Sequence, residues 1–71
     1  MQIRDFWFIY HLIREEDTNK ERIRETMIKI YELIYKYPQV QEELENLALA
    51  IYSKEFGSAK DFLLDIIFKL F

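Results

Sequence analysis

The scarcity of glycine and proline constrains this chain most, because its 71 residues contain only one of each. Sheets joined by tight turns usually need both residue types at the turns, so the composition argues against a β-rich fold. The chain is 51% hydrophobic, which suits a packed core, and its length suits one small domain. We therefore expect a single all-α domain over residues 1–71.

Two strong breaks and one polar cluster divide the chain into helices. Pro38 suits the first turn of a helix and disfavours helical dihedrals in the residue before it. Gly57 suits the left-handed position just past a helix end. The polar residues at 15–19 separate two apolar-periodic stretches. The sequence therefore predicts a compact bundle of four short helices with very short loops, covering residues 2–16, 19–36, 38–55 and 59–70.

Two capping signals support the starts of the second and fourth helices. Thr18 followed by Glu21 matches a capping box, in which a side-chain oxygen accepts a hydrogen bond from a backbone N–H of the first turn. Ser58 followed by Asp61 is a shorter-armed version of the same pattern. We expect Thr18 and Ser58 to be the N-cap residues of these two helices.

Apolar residues at helical spacing give each of the first three helices a main core face. The expected core residues are Ile3, Phe6, Trp7, Tyr10 and Ile13, then Ile23, Met27, Ile30, Ile34 and Tyr37 with Leu33 at the edge, then Val40, Leu44, Leu47, Ala48 and Ile51. The last ten residues contain only Asp65 and Lys69 as polar residues. A helix that is apolar nearly all round is normally buried, so we expect the C-terminal helix to be largely buried.

A second apolar stripe on each of the first three helices exceeds what so small a core can bury. A chain of this length buries only about 60–65% of its unfolded surface. Scattered exposure, a thicker core or a contact surface could each account for the excess. The regular spacing and the tyrosines favour a contact surface. The residues predicted to bind a partner are Phe8, Leu12, Ile28, Tyr31, Tyr35, Leu49, Tyr52 and Phe56.

These stripes favour a non-enzymatic protein-interaction module, most simply a homodimer, since two-fold dimers are the commonest assemblies. The alternative is a small inhibitor or immunity protein of the phage or plasmid type, whose acidic clusters at 15–17 and 42–45 would meet a basic partner. A lesser alternative is a helix-turn-helix regulator over residues 49–66. Its recognition helix would offer Lys60 and Lys69 against two acids, which suits DNA poorly.

No combination of residues predicts catalysis, a cofactor or a metal. His11 and Glu15 lie four apart and could share a helix face, but two ligands do not make a zinc site. Ser53 and Ser58 are the only serines, there is no cysteine, and no glycine-rich loop exists to hold phosphate. We therefore expect no catalytic residues, no cofactor and no bound metal.

Charge and hydropathy point to a cytoplasmic protein without a nucleic-acid or membrane partner. The formal net charge of -3 is the wrong sign for a general nucleic-acid binder. No run of about 18 apolar residues and no signal peptide is evident. The apolar C-terminal helix lacks the strongly cationic face that is typical of helices lying in a membrane surface.

Overall fold

Four α-helices form a bundle in the computed structural model, which describes residues 3–71. The helices are α1 (Trp7–Glu15), α2 (Lys20–Lys36), α3 (Gln41–Tyr52) and α4 (Phe56–Leu70). Short 3₁₀ helices, Ile3–Phe6 and Pro38–Val40, lead into α1 and α3. The all-α, four-helix fold is confirmed. The predicted start of the first helix at residue 2 and the core role of the Ile3 side chain lie outside the described part of the chain.

The helices pack in a ring. α3 packs mainly against α4 and α2, while α1 packs against α4 and α2. Each helix therefore has two principal neighbours, and the seam between α2 and α3 lies across the bundle from the seam between α1 and α4. These two seams position the surfaces described below.

The centre of the ring is filled by aliphatic side chains from all four helices. Residues with almost no exposed surface include Ile9, Leu12, Ile30, Leu44, Leu47, Ile51 and Ile66. Thr26 is the buried polar residue among them, and its hydroxyl donates a hydrogen bond to the Arg22 carbonyl at 2.8 Å. This bond satisfies the hydroxyl within α2, so a polar group can lie in the core without a large penalty.

α1 is rotated relative to the sequence prediction. Trp7 and Tyr10 are 58% and 41% exposed, whereas Ile9 and Leu12 are fully buried. Phe6 and Ile13 are buried as predicted, and because they are seven residues apart they lie nearly in line along the helix, so the sequence left open which neighbouring side meets the core. The core contacts the side of α1 that carries Ile9 and Leu12, where α1 packs against α2 and α4, and the Trp7 and Tyr10 side faces outward. The assignment of Trp7 and Tyr10 to the core was wrong.

The boundary between α3 and α4 also differs from the prediction. α3 ends at Tyr52, and the chain reverses through Lys54, whose φ of 60° is left-handed. Phe56 begins α4 and is buried, because it continues the stripe formed by Ala59, Leu63, Ile66 and Leu70. Gly57 lies in the first turn of α4 rather than past a helix end, and Ser58 is not its N-cap.

The outer side of α4 is exposed. Leu64, Phe68 and Phe71 retain 44%, 83% and 56% of their accessible surface. α4 packs mainly on α3 and α1, so within the described part of the chain no helix covers its outer side. The C-terminal helix therefore buries one face instead of most of its surface, which corrects the expectation from its composition.

The start of α2 is capped one residue later than predicted. The Asn19 side chain, rather than Thr18, accepts hydrogen bonds from the backbone N–H groups of Glu21 and Arg22 at 2.9 and 3.2 Å. Asp17 accepts a bond from the Asn19 N–H at 2.9 Å and so holds the cap in place. Pro38 begins the 3₁₀ helix that leads into α3, as its fixed φ suggested.

Candidate functional site

Five large apolar side chains form one exposed surface, the α2–α3 face. Its members are Ile28, Tyr31 and Tyr35 from α2 with Leu49 and Tyr52 from α3. Their exposed fractions run from 53% for Ile28 to 90% for Tyr35. Large apolar residues recur here on neighbouring helices, which is typical of a contact surface and not of isolated surface exposure.

A shallow groove runs along this face between α2 and α3. It consists of two adjoining depressions of about 580 and 470 Å³, which share Met27, Tyr31 and Tyr52 as lining residues. Met27 is half-buried and packs against the core, so it forms the floor. The tyrosines stand beside it with their rings accessible. The groove is a shape into which apolar side chains of another protein could insert.

Five of the eight residues predicted to bind a partner therefore lie together. The other three do not. Leu12 and Phe56 belong to the core, which corrects their assignment to an exposed stripe. Phe8 is half-buried, and the Arg22 guanidinium lies over its ring, 5.2 Å from the centroid. This cation–π contact covers Phe8 from within the same chain.

The two ends of the α2–α3 face carry opposite charges. Lys20, Arg24 and Lys54 line the depression at the start of α2. Glu45 lines the depression at the other end, and Glu42 is exposed one turn earlier on α3. The Gln41 amide donates a hydrogen bond to the Glu45 carboxylate at 2.9 Å, which leaves its negative charge in place.

A second exposed apolar surface, the α1–α4 face, was missed by the sequence analysis. It comprises Trp7 and Tyr10 from α1 with Leu64, Phe68 and Phe71 at the α4 end. The Trp7 and Tyr10 rings stack with centroids 5.7 Å apart. The available signal was the spacing of Leu64, Phe68 and Phe71, which recur at three and four residues and so share one side of the helix.

A groove also follows the α1–α4 face, but its charges are mixed. A depression of about 670 Å³ is lined by Arg14, Lys60 and Glu16 among apolar residues. A smaller one of about 280 Å³ adjoins it beside Trp7. Cations and an acid thus share the same groove, whereas on the α2–α3 face they lie at opposite ends.

A polar cluster ties the end of α2 to the 3₁₀ helix that precedes α1. The Tyr37 hydroxyl donates a hydrogen bond of 2.6 Å to the Asp5 carboxylate, and the Lys36 ammonium donates another of 2.9 Å. These two donors hold the pKa of Asp5 below its ordinary value. The Asp5 carboxylate in turn raises the pKa of Lys36. Both shifts follow from this contact between the end of α2 and the chain before α1.

The acidic clusters at 15–17 and 42–45 are partly neutralised within the chain. Asp17 lies 3.7 Å from the Arg22 guanidinium. Glu43 accepts a hydrogen bond from Lys69 of α4, which lowers the pKa of Glu43 and raises the pKa of Lys69. Each cluster therefore offers a partner less negative charge than its sequence suggests.

Among residues 3–71, no group of three or more His, Cys, Asp or Glu side chains is placed to hold a metal ion. His11 instead meets the Trp7 ring edge-on, with centroids 4.7 Å apart. Over the same residues, no helix combines the length and the hydropathy needed to cross a membrane. Comparison with protein-family models, curated proteins and solved structures finds no match to this chain.

Proposed function

We propose that this chain is a non-enzymatic protein-interaction module that forms a homodimer through its α2–α3 face. The observation that carries the proposal is the gathering of Ile28, Tyr31, Tyr35, Leu49 and Tyr52 on two adjacent helices beside one groove. Tyrosine suits such a surface because its ring is buried on binding while its hydroxyl stays at a wet edge. The absence of cysteine from the sequence fits a cytoplasmic location.

The size of the face supports this proposal. Large side chains present roughly 150–250 Å² each, so five of them at these exposures offer about 600 Å² of apolar surface. A standard interface buries about 800 Å² on each partner. The five residues would supply most of that area, and the charged residues at both ends would supply a polar rim.

Size-exclusion chromatography with light scattering, across a wide concentration range, tests the proposal. We expect a species near twice the chain mass of 8.8 kDa. Tyr31→Glu combined with Tyr52→Glu should give a monomer, with a dissociation constant at least about 100-fold higher, because both changes bury charge in the interface centre. The matched control is Trp7→Glu with Phe68→Glu on the opposite face. If only the control pair breaks the dimer, self-association occurs through the α1–α4 face and the proposal is wrong.

The second candidate is a small inhibitor that blocks a larger protein, and the α1–α4 face favours it. A dimer formed through α2–α3 would leave Trp7, Tyr10 and Phe68 available on both copies. Pull-down with the wild-type chain and with the Trp7→Glu, Phe68→Glu variant tests this candidate. A stoichiometric partner that binds the wild type and not the variant supports it, and equal capture by both removes the α1–α4 face as the binding surface.

A further inference from the structure

We propose that a second copy of this chain docks on the α2–α3 face in antiparallel register, with the basic end of each copy against the acidic end of the other. This inference rests on the proposed self-association and adds the register and the recognition element. The order of charges along α2 and α3 makes the face complementary to a second copy of itself.

One continuous stripe runs along the exposed side of α2. It consists of Lys20, Arg24, Ile28, Tyr31 and Tyr35, which recur every three or four residues and are all exposed. Residues at this spacing share one side of a helix. The stripe therefore begins with two cations and ends with two tyrosines.

A matching stripe on α3 runs in the opposite direction. Glu42, Glu45, Leu49 and Tyr52 recur at the same helical spacing and are all exposed. α3 returns alongside α2 after a short connection, so the end of α3 lies beside the start of α2. The two stripes together give a face with a basic end, an apolar centre and an acidic end.

The basic end keeps its positive charge. Lys20, Arg24 and Lys54 line the groove there, and no acid among residues 3–71 lines the same depression. Asp17, the nearby acid with a described ion pair, interacts with Arg22. The three cations are therefore available to a partner's carboxylates.

The acidic end keeps its negative charge as well. Glu45 lines the groove and Glu42 lies one turn before it. Lys69 donates its hydrogen bond to Glu43 on the α4 side, and Lys36 at the end of α2 donates to Asp5. Glu42 and Glu45 therefore remain to meet the basic end of a second copy.

The spacing of the charges allows a two-fold axis through the apolar centre. With a rise of about 1.5 Å per residue, Lys20 and Arg24 lie roughly 10–17 Å from Tyr31 along α2. Glu42 and Glu45 lie roughly 6–10 Å from Leu49 along α3, toward the other end. A two-fold axis that lies in the contact plane and runs across the helices brings the two faces together and exchanges their ends. Each basic end then faces the acidic end of the other copy. A parallel arrangement would place like charges together, which opposes association.

Charge-reversal variants test the register in the full-length chain. The first variant is Glu42→Lys with Glu45→Lys, and the second is Lys20→Glu with Arg24→Glu. Lys54 stays at the basic end of the second variant, but each variant alone carries the same net sign of charge at both ends, so we expect its dimer dissociation constant to rise at least about tenfold. An equimolar mixture should form a heterodimer within about threefold of the wild-type affinity, because the net charges of its facing ends are then opposite. Sedimentation velocity measures all three.

Matched controls separate the register from net charge. Asp61→Lys with Asp65→Lys, and Arg14→Glu with Lys60→Glu, make the same charge changes on other surfaces and should leave the dimer within about threefold of wild type. Circular dichroism reports folding. If a reversal variant fails to fold, Glu42→Gln with Glu45→Gln replaces it, with a smaller rise expected in the same direction.

The outcomes distinguish the register from the proposed function. A wild-type chain that stays monomeric at all concentrations overturns both. A dimer that tolerates both reversals, or reversed variants that do not pair with each other, overturns the antiparallel register and leaves self-association through the apolar centre standing. Weakening by each reversal supports the register, rescue in the mixture shows that the loss comes from charge and not from misfolding, and added salt should then weaken the wild-type dimer.

Discussion

The α2–α3 face and the α1–α4 face both expose large apolar side chains beside a groove, yet they arrange charge differently. Along α2–α3 the cations Lys20 and Arg24 lie at one end and Glu45 at the other. Along α1–α4 the cations Arg14 and Lys60 share a groove with an acid. Apolar exposure on its own marks a surface that gains from being covered. The separation of charge gives the α2–α3 face a basic end and an acidic end. Two copies of this face therefore attract each other when they meet in opposite orientations.

The two faces also arise differently from the sequence. In α2 and α3 one apolar stripe fills the core, and a second apolar stripe on the exposed side forms the α2–α3 face. The α1–α4 face comes from the side of α1 that carries Trp7 and Tyr10, which the core leaves exposed, and from α4, which exposes Leu64 and Phe68 in addition to its buried stripe. The first kind of surface can be recognised from periodicity alone, whereas the second requires knowledge of which side of a helix meets the core.

The largest expected effect distinguishes a core residue from a residue of the α2–α3 face, although both were predicted in the same stripe of the third helix. Phe56→Ala should lower the free energy of unfolding by about 3–5 kcal/mol, because Phe56 is buried between the helices. Leu49→Ala should change it by less than about 0.5 kcal/mol, because Leu49 is 65% exposed. Urea denaturation of both variants, carried out in a background where dimerisation is blocked, measures the difference. Equal losses would mean that Leu49 also belongs to the monomer core.

This contrast shows how much of the molecule could be predicted from its sequence. The helical spacing of the apolar residues and the breaks between the apolar stretches predicted four helices. The same spacing identified the stripe that contains Ile28, Tyr31 and Tyr35. Phe56 was misplaced because Gly57 looked like a helix end. In the structure Lys54 makes the reversal, since packing Phe56 into the core extends α4 by one turn. Local signals are weak here, and a buried aromatic ring outweighs a favourable glycine position.

A similar competition explains the other corrections. Thr18 and Asn19 are adjacent, and both types of side chain are good N-caps. The choice depends on where the chain leaves α1, where Glu16 adopts a left-handed conformation that the sequence did not indicate. Leu12 is buried because the core contacts the Ile9 and Leu12 side of α1 and not the Trp7 and Tyr10 side. Boundaries and phase depend on tertiary contacts, so periodicity predicts the existence of these helices better than their rotation.

The cap of α2 provides the next prediction, because this helix begins with the basic end of the α2–α3 face. Asn19→Ala should cost about 1 kcal/mol of stability, since it leaves the Glu21 and Arg22 N–H groups without their acceptor. Thr18→Ala is the matched control and should cost much less. Thermal unfolding followed by circular dichroism compares them. A larger loss of stability for Thr18→Ala would indicate that Thr18 is the N-cap, as the sequence predicted.

The polar cluster at Asp5 gives a smaller, pH-dependent effect. Tyr37→Phe should cost about 0.5–1 kcal/mol near neutral pH, because it removes a hydrogen bond to a partly exposed carboxylate. The folded-state pKa of Asp5 is lowered, so its contribution is fully present above the unfolded pKa of about 3.9 and is lost as pH falls through the lower, folded value. Stability measured from pH 6 to pH 2 should therefore differ less between wild type and Asp5→Asn at the acidic end. A constant difference would contradict this linkage.

The smallest expected effect on folding involves the most exposed aromatic residue of each face, and it gives the sharpest comparison between them. Tyr35 and Phe68 retain 90% and 83% of their surface, so Tyr35→Ser and Phe68→Ser should each change monomer stability by less than about 0.5 kcal/mol. Their effects on self-association should differ. Tyr35 lies on the acidic side of the apolar centre, where an antiparallel partner brings cations that favour an aromatic ring. Tyr35→Ser should therefore weaken the dimer several-fold, while Phe68→Ser should leave its dissociation constant unchanged.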